Sequence, residues 1–460
     1  MIPTEIRSWN GATKAISNVW AADSLRGRFA RGAVWSFIGA VISQGSNLAA
    51  SVITARLLGR EQFGEYGMIQ STVGMLGIFA GLGLGVTATK YVAELRSRDP
   101  ERAGRIIALG CAVATVSGGL LALGLAAYAP WLAAKTLNAP ALAHELRIAS
   151  VLLFFNAFNG AQTGALSGFE AFRTIARINL ARGFVTFPIT VGLVLLWRLP
   201  GAIWALAVVA AVTCFLSQLS LRQHCAALGI RPQFSCAWRE RRVLWTFSTP
   251  AFLCGAMVGP VTWAVNTMLV NQPGGYAEMG VFSAASQWKN AVVFLPSLLS
   301  QPLLSILSNV GERDRRSFRK LLRANILLAF AISSSLAAPI ILCASWIMKA
   351  YGPDFRDGRP VLILLVLAAV ISVTAGVIGQ AIASLGRMWW GLTLNLVWAV
   401  VMLAAAIFLV PRHGALGLAL AFLGSYVVHA LTVTGYAQIH LRSRAVHFES
   451  SMRPVVTPKL

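Results

Sequence analysis

Twelve apolar runs, each about as long as a membrane span, constrain the fold of this chain more than any other feature of its sequence. They span residues 33–55, 66–89, 106–130, 148–169, 178–197, 199–221, 243–270, 279–303, 324–348, 360–383, 388–410 and 414–438. A helix needs about 20 predominantly apolar residues to cross the hydrocarbon core of a bilayer. The pattern therefore predicts an all-α polytopic membrane protein with about 12 transmembrane helices.

The composition excludes several soluble classes. Apolar residues make up 57% of the chain and charged residues only 12%, against about 25% charged in an ordinary soluble domain. This high apolar and low charged content excludes a soluble enzyme and a disordered tail. It also excludes a nucleic-acid-binding domain, although the net charge of +23 alone would suggest one. We expect the basic residues to set the orientation of the spans in the membrane. The expected partners include membrane lipids, and we expect no nucleic-acid partner.

The distribution of basic residues predicts the topology. With both termini cytoplasmic, 28 of the 39 Lys and Arg residues fall in inner segments, 9 fall in outer segments, and Arg182 and Lys289 lie within runs. Cytoplasmic loops carry an excess of Lys and Arg, so this alternation indicates an even number of spans with both ends inside.

An internal repeat predicts the domain organisation. Phe63-Gly-Glu-Tyr-Gly resembles Tyr276-Ala-Glu-Met-Gly, and Asn179 matches Asn395 at nearly the same separation along the chain. Six spans in each half give both halves the same orientation, so we expect two six-helix lobes around a central cavity. The predicted parts are a cytoplasmic segment 1–32 with an interfacial amphipathic helix, an N-lobe 33–221, a basic linker 222–242, a C-lobe 243–438 and a cytoplasmic tail 439–460.

Polar residues inside the runs are the candidates for binding cargo. Lys289 lies deep in the eighth run, where Gln287 and Asn290 are polar neighbours. Buried ionisable residues in a membrane are costly, so Lys289 is either a cavity ligand or a structural residue paired with a carbonyl or with Glu65. Gln44 and Asn47 in the first run, and Asn156 and Asn159 in the fourth, are further cavity candidates. Hydrogen bonding between helices is the alternative for each amide.

Four arginines are candidates for a cytoplasmic mouth, namely Arg31, Arg177, Arg182 and Arg323. Arg182 lies about one turn inside the fifth run, so its side chain can instead extend to the headgroups. The sequence has no phosphate loop, zinc motif or nucleophile elbow, and we predict no catalytic residue, cofactor or metal.

One stretch resembles a known family. Thr54-Ala-Arg-Leu-Leu-Gly-Arg-Glu-Gln-Phe-Gly-Glu-Tyr-Gly67, followed by Gly81-Leu-Gly-Leu-Gly85, is similar to the opening signature of the oligosaccharide flippases. These form the polysaccharide-transporter branch of the multidrug/oligosaccharidyl-lipid/polysaccharide exporter superfamily. The resemblance implies flipping of an undecaprenyl-pyrophosphate-linked oligosaccharide across the bacterial inner membrane by alternating access. It also allows other polysaccharide-assembly proteins as partners.

Three alternatives remain open from the sequence. A multidrug extruder of the same superfamily usually needs an intramembrane acid, and none of the 16 acidic residues lies in a run. A membrane-embedded glycan polymerase or ligase would be expected to carry a sizeable outer loop, which this chain lacks. The third alternative is a non-transporting scaffold for a glycan-synthesis complex. An uncompensated deep cation favours an anionic cargo, because opposite charges attract strongly at low dielectric.

Overall fold

A computed structural model describes residues 25–249, 252, 256–311, 315–384 and 388–451, and the long elements in these ranges are all helices. They are α1 (Leu25–Leu58), α2 (Arg60–Gly81), α3 (Leu84–Leu95), α4 (Pro100–Trp131), α5 (Ala143–Gly168), α6 (Phe172–Ala227), α7 (Val258–Val270), α8 (Gly275–Gly311), α9 (Arg315–Leu342), α10 (Ala344–Tyr351), α11 (Arg359–Ser384) and α12 (Met388–Ser451). Short 3₁₀ or π segments lie at Leu132–Thr136, Pro140–Leu142, Ala237–Glu240, Leu244–Ser248 and Pro353–Gly358. Helices satisfy their own backbone hydrogen bonds, which lipid cannot do for them.

Two of these helices are hairpins that each contain two of the apolar runs. The backbone reverses at Arg198 in α6 (φ 51°, ψ −125°) and at Gly414 in α12 (φ 52°, ψ −128°). A Cβ on Gly201 would overlap the carbonyl oxygen of Leu193, about two helical turns earlier. A continuous helix would separate such residues by about 12 Å, so the chain must fold back between them.

The helices confirm the predicted fold class. By length and composition, six described helices could cross a membrane, or seven if α2 and α3 count as one span bent by 41°. The bend lies at Leu82 and Gly83, whose φ angles are 42° and 68°. With α6 and α12 each divided at its reversal, the described helices include a counterpart for every predicted run. The chain is an all-α polytopic membrane protein.

The chain forms two compact units that are not continuous in sequence. Unit 1 consists of Met1–Ala50, Leu76–Pro130 and Ala143–Phe252, and unit 2 consists of Ser51–Met75, Trp131–Leu142 and Leu253–Leu460. Two segments of the predicted N-lobe thus belong to unit 2, because they pack against the beginning of α8. The predicted lobe boundaries stay a prediction. Most of the predicted N-terminal segment lies outside the described residues, which begin at Leu25.

The predicted linker 222–242 is part of unit 1. Its first residues extend α6 as far as Ala227, and its last part packs on the beginning of α4. There Glu240 accepts hydrogen bonds from Arg102 at 3.1 Å and Arg105 at 3.4 Å. A carboxylate that is only 12% exposed is stabilised by two guanidinium groups, which keeps this segment on α4.

Several structural features repeat at one constant interval along the chain. The reversals at Arg198 and Gly414 define this interval, and the close approaches of Gly201 to Leu193 and of Gly417 to Leu409 repeat at the same interval. The match of Asn179 with Asn395 also has this spacing. The match of Phe63 with Tyr276 does not, because it lies three positions out of register with the structural repeat.

Candidate functional site

Lys289 lies on α8 inside unit 2, and its ammonium faces an aromatic ring. The Nζ atom is 4.9 Å from the centroid of the Phe422 ring on α12. Phe422 is itself only 2% exposed and packs against Phe282 at 5.5 Å and Tyr426 at 6.3 Å between ring centroids. The negative face of an aromatic ring attracts a cation, most strongly when water is excluded. The fold thus places this amine on the face of an aromatic ring.

The helical register of α8 separates Lys289 from its polar neighbours. Phe282, Ala285 and Val292 have side chains at most 3% exposed, and they lie three, four or seven positions from Lys289. Residues at this spacing share one helix face, so Lys289 belongs to the face that packs within unit 2. Gln287 and Asn290 project from other faces, where Gln287 is half-buried and Asn290 is exposed. The structure therefore does not bring the three predicted ligands of α8 onto one face.

The charge of Lys289 is not neutralised by any carboxylate in the described part of the chain. The ion pairs there join Arg60 to Glu278, Arg96 to Glu170, Arg102 and Arg105 to Glu240, and Arg105 to Glu101. A half-buried ammonium that interacts with a ring face alone retains N–H donors for an anion. This arrangement favours the ligand interpretation over pairing with Glu65.

The other four cavity candidates lie in unit 1. Gln44 and Asn47 on α1 are half-buried, and Asn156 on α5 is exposed. The Asn159 Oδ1 atom accepts a hydrogen bond from the Ser217 hydroxyl on α6 at 2.9 Å. One turn away, Gln162 Nε2 donates to Gln218 Oε1 at 2.6 Å. This hydrogen bond supports the helix-joining alternative for Asn159, and its assignment to the cavity stays a prediction.

The predicted mouth arginines are divided between the units. Arg177 and Arg182 are exposed on α6 of unit 1, and Arg323 is exposed on α9 of unit 2. Arg31 lies on α1, but its side chain is outside the described set. The assignment of these four residues to one mouth stays a prediction.

Sequence reasoning missed Phe422 as the partner of Lys289. The two residues lie on helices that are distant along the chain, and an apolar residue in an apolar run carries no signal of its own. The spacing of Phe422 and Tyr426 places two aromatic side chains on one face of α12, which is the only local hint.

Comparison with protein families and known proteins gives matches along most of the chain. Residues 29–305 match the family described as "Polysaccharide biosynthesis protein". The EPS I polysaccharide export inner membrane protein EpsE of Ralstonia nicotianae is 26% identical over 420 residues, covering 88% of this chain and 92% of that protein. The lipid III flippase of Escherichia coli is 20% identical over 418 residues, covering 87% and 96%.

A solved structure shares the fold. It is the inward-facing conformation of a multidrug resistance MATE family transporter of the MOP superfamily, with a TM-score of 0.71 and 15% identity. The match covers 89% of this chain and 98% of the other. At this identity the likeness concerns the arrangement of helices and carries no information on cargo.

Proposed function

Because the chain belongs to the polysaccharide biosynthesis protein family of MOP-superfamily transporters, we propose that it flips an undecaprenyl-pyrophosphate-linked oligosaccharide across the bacterial inner membrane. The cargo enters from the cytoplasmic leaflet, and alternating access releases its glycan on the outer side. Both termini are cytoplasmic in this proposal, as the excess of basic residues in the inner segments favours.

The observation that carries the proposal is the set of contacts around Lys289. Its ammonium is half-buried, rests on the Phe422 ring and has no ion pair with a described carboxylate. A pyrophosphate group supplies the missing negative charge, and charge-assisted hydrogen bonds contribute about 1.5–3 kcal/mol each. In this proposal Lys289 binds the pyrophosphate, while Gln287, Asn290, Gln44, Asn47 and Asn156 are candidates for the sugar hydroxyls. The arginines at 31, 177, 182 and 323 attract the anionic head to the entrance.

Two relatives are an export protein and a flippase, which supports a transporter over a glycan polymerase or ligase. A multidrug extruder is the second candidate, and the MATE-like fold is the observation in its favour. The absence of any acid from the predicted spans counts against a cationic drug as cargo.

A deletion strain tests the proposed cargo. Loss of a flippase is expected to abolish surface glycan and to accumulate lipid-linked oligosaccharide on the cytoplasmic face of the inner membrane. Loss of a polymerase would instead leave single repeat units already displayed outside. Normal surface glycan in the deletion strain, with no accumulated intermediate, would contradict the proposal.

A further inference from the structure

Arg60, the first residue of α2, is bonded to three acceptors from the second half of the chain. Its Nη2 atom lies 2.6 Å from Glu278 Oε1. Its Nε donates to the Ala277 carbonyl at 3.0 Å, and its Nη1 donates to the Asp354 carbonyl at 3.1 Å. A planar guanidinium that donates to several acceptors at once makes a contact with a specific geometry. All four residues belong to unit 2.

Directly beside Arg60, helices α2 and α8 cross with no room for side chains. A Cβ on Gly64 would overlap the Tyr276 carbonyl oxygen, and a Cβ on Gly280 would overlap the Arg60 carbonyl oxygen. Gly64 and Gly280 have the same separation along the chain as the two backbone reversals, and so do Arg60 and Tyr276. The crossing therefore pairs equivalent positions of the internal repeat, and two glycines allow the backbones to touch.

Two further hydrogen bonds join the segment that follows α4 to the region where α8 begins. The Tyr276 hydroxyl donates to the Leu137 carbonyl at 2.8 Å, and Asn271 Nδ2 donates to the Thr136 carbonyl at 2.9 Å. Burial, and secondly the charge of Glu65, raises the pKa of the Tyr276 phenol, so its hydroxyl stays protonated and remains a donor. The first-half segments 51–75 and 131–142 are thereby attached to α8 and the residues just before it.

Glu278 has a second hydrogen-bond partner that does not depend on Arg60. Glu278 Oε2 also accepts a hydrogen bond at 2.9 Å from the backbone N–H of Ala415, which begins the second limb of α12. The positive end of a helix stabilises a carboxylate. If Arg60 withdrew, Glu278 would keep the Ala415 amide, whereas Arg60 would lose all three acceptors described above. A contact with this asymmetry can open without leaving a buried, unpaired carboxylate.

We propose that Arg60 and the Gly64–Gly280 crossing form a latch that closes the outer end of unit 2 and opens in each transport cycle. Arg60, Leu137, Asn271, Tyr276, Glu278 and Asp354 all lie in segments that the charge pattern places outside. The inference rests on the alternating access of the proposed function. The competing interpretation is a permanent structural clasp.

Cysteine labelling tests whether the latch opens, independently of any cargo. Ser283 contacts Gly67 at the crossing and is only 9% exposed, so a Ser283→Cys thiol reacts slowly while the latch is closed. In a chain whose native cysteines are all replaced, R60Q is expected to raise labelling by an external, membrane-impermeant maleimide at least about threefold. The matched control K135Q removes an exposed charge from the same end and is expected to leave the rate unchanged. Equal rates in R60Q and K135Q would contradict the latch.

E278Q gives a second variant in case R60Q fails to fold. The amide oxygen of Gln can still accept from the Ala415 N–H, so this change removes the charge and retains the hydrogen bond to α12. Faster labelling is again expected, by a smaller factor than in R60Q. A rate equal to that of K135Q would overturn the proposal.

A disulfide tests whether opening is needed for transport. A Cβ on Gly67 would lie 2.9 Å from the Ser283 Cβ, and a Cβ on Gly118 would lie 2.9 Å from the Ala157 Cβ within unit 1. Both pairs are slightly closer than the spacing of about 3.5–4.5 Å in a disulfide, so both require the same small adjustment. Oxidation of G67C/S283C is expected to slow flipping at least about tenfold, with recovery on reduction, whereas G118C/A157C retains its rate.

Equal flipping by oxidised and reduced G67C/S283C would show that flipping does not require these helix ends to separate, and a latch that opens in each transport cycle would be excluded. If neither the reduced variant nor the unmodified chain flips lipid-linked oligosaccharide, the proposed function fails. The labelling rates would still decide whether the latch opens.

Discussion

Among single side chains, Lys289 is distinguished by what surrounds it. Most basic residues of this chain lie in loops, where water and headgroups solvate them, and the structure pairs several of them with carboxylates. Lys289 instead rests on a ring that is itself supported by two further rings. A cation–π contact compensates a buried ammonium only partly, by about 0.5–2 kcal/mol. The remaining deficit is what an anionic headgroup would relieve.

Removing the ring under Lys289 is expected to weaken cargo binding. We predict that F422L raises the apparent KM for lipid-linked oligosaccharide about twofold to thirtyfold, as the loss of a cation–π contact of about 0.5–2 kcal/mol implies. F422Y keeps the ring face and is expected to restore a value near that of the unmodified chain. Initial flipping rates over a range of cargo concentrations, measured in vesicles, give both values.

F282L is the matched control, because Phe282 packs against Phe422 in the same ring cluster, whereas the Lys289 ammonium lies over the Phe422 ring. It should lower stability without a comparable rise in KM. If F422L and F282L raised the KM equally, the ring under Lys289 would have a packing role only.

At the scale of the helices, two backbone reversals produce two predicted spans from each of α6 and α12. The reversal in α12 occurs at Gly414, where φ is positive and a Cβ would lie 2.8 Å from Glu278 Oε2. A side chain in a left-handed conformation costs about 1–2 kcal/mol, and here it would also press on the carboxylate that binds Arg60. Arg198 adopts nearly the same φ and ψ at the equivalent reversal, so this backbone disfavours a side chain without excluding one, and at Gly414 the contact with Glu278 adds a second cost.

Alanine substitutions at two glycines of α12 are expected to act in opposite directions. G414A should lower the free energy of unfolding by about 1–2 kcal/mol, from the left-handed backbone alone. Gly424 has no atom near its virtual Cβ, so G424A should raise the free energy of unfolding by about 0.5–1 kcal/mol. Unfolding of both variants in detergent checks the signs. Stability of G414A equal to or above that of the unmodified chain would contradict the strain argument.

At the scale of the whole molecule, the sequence predicts the features that the membrane environment imposes on every span. It does not predict contacts between residues that are far apart along the chain. Helix positions and fold class follow from hydropathy, because lipid requires every span to be apolar and internally hydrogen-bonded. The pairing of Arg60 with Glu278 and of Lys289 with Phe422 joins helices that are far apart along the chain, and no local pattern records it. The internal repeat can be detected from the sequence. The match of Phe63 with Tyr276 is three positions out of register, because it rests on a short stretch of similar residues.

The division into two units shows the same limit. Hydropathy marks where a helix begins and ends, but it does not say that α2 belongs to unit 2 as far as Met75, whereas its last residues and α3 belong to unit 1. That assignment follows from close contacts, such as Gly64 with Tyr276 in unit 2 and Gly85 with Gly164 in unit 1. Small residues permit these approaches without specifying the partner.

The most direct test of the proposed function is flipping of purified lipid-linked oligosaccharide in proteoliposomes by the unmodified chain, K289M and K289R. Loss of a charge-assisted contact of about 1.5–3 kcal/mol predicts at least about a tenfold slower initial rate for K289M. K289R keeps the charge and is expected to retain most of the activity, and a neutral glycolipid should not distinguish the three proteins. K289M flipping the pyrophosphate-linked cargo as fast as the unmodified chain, at equal reconstitution, would contradict the assignment of Lys289 to the cargo headgroup.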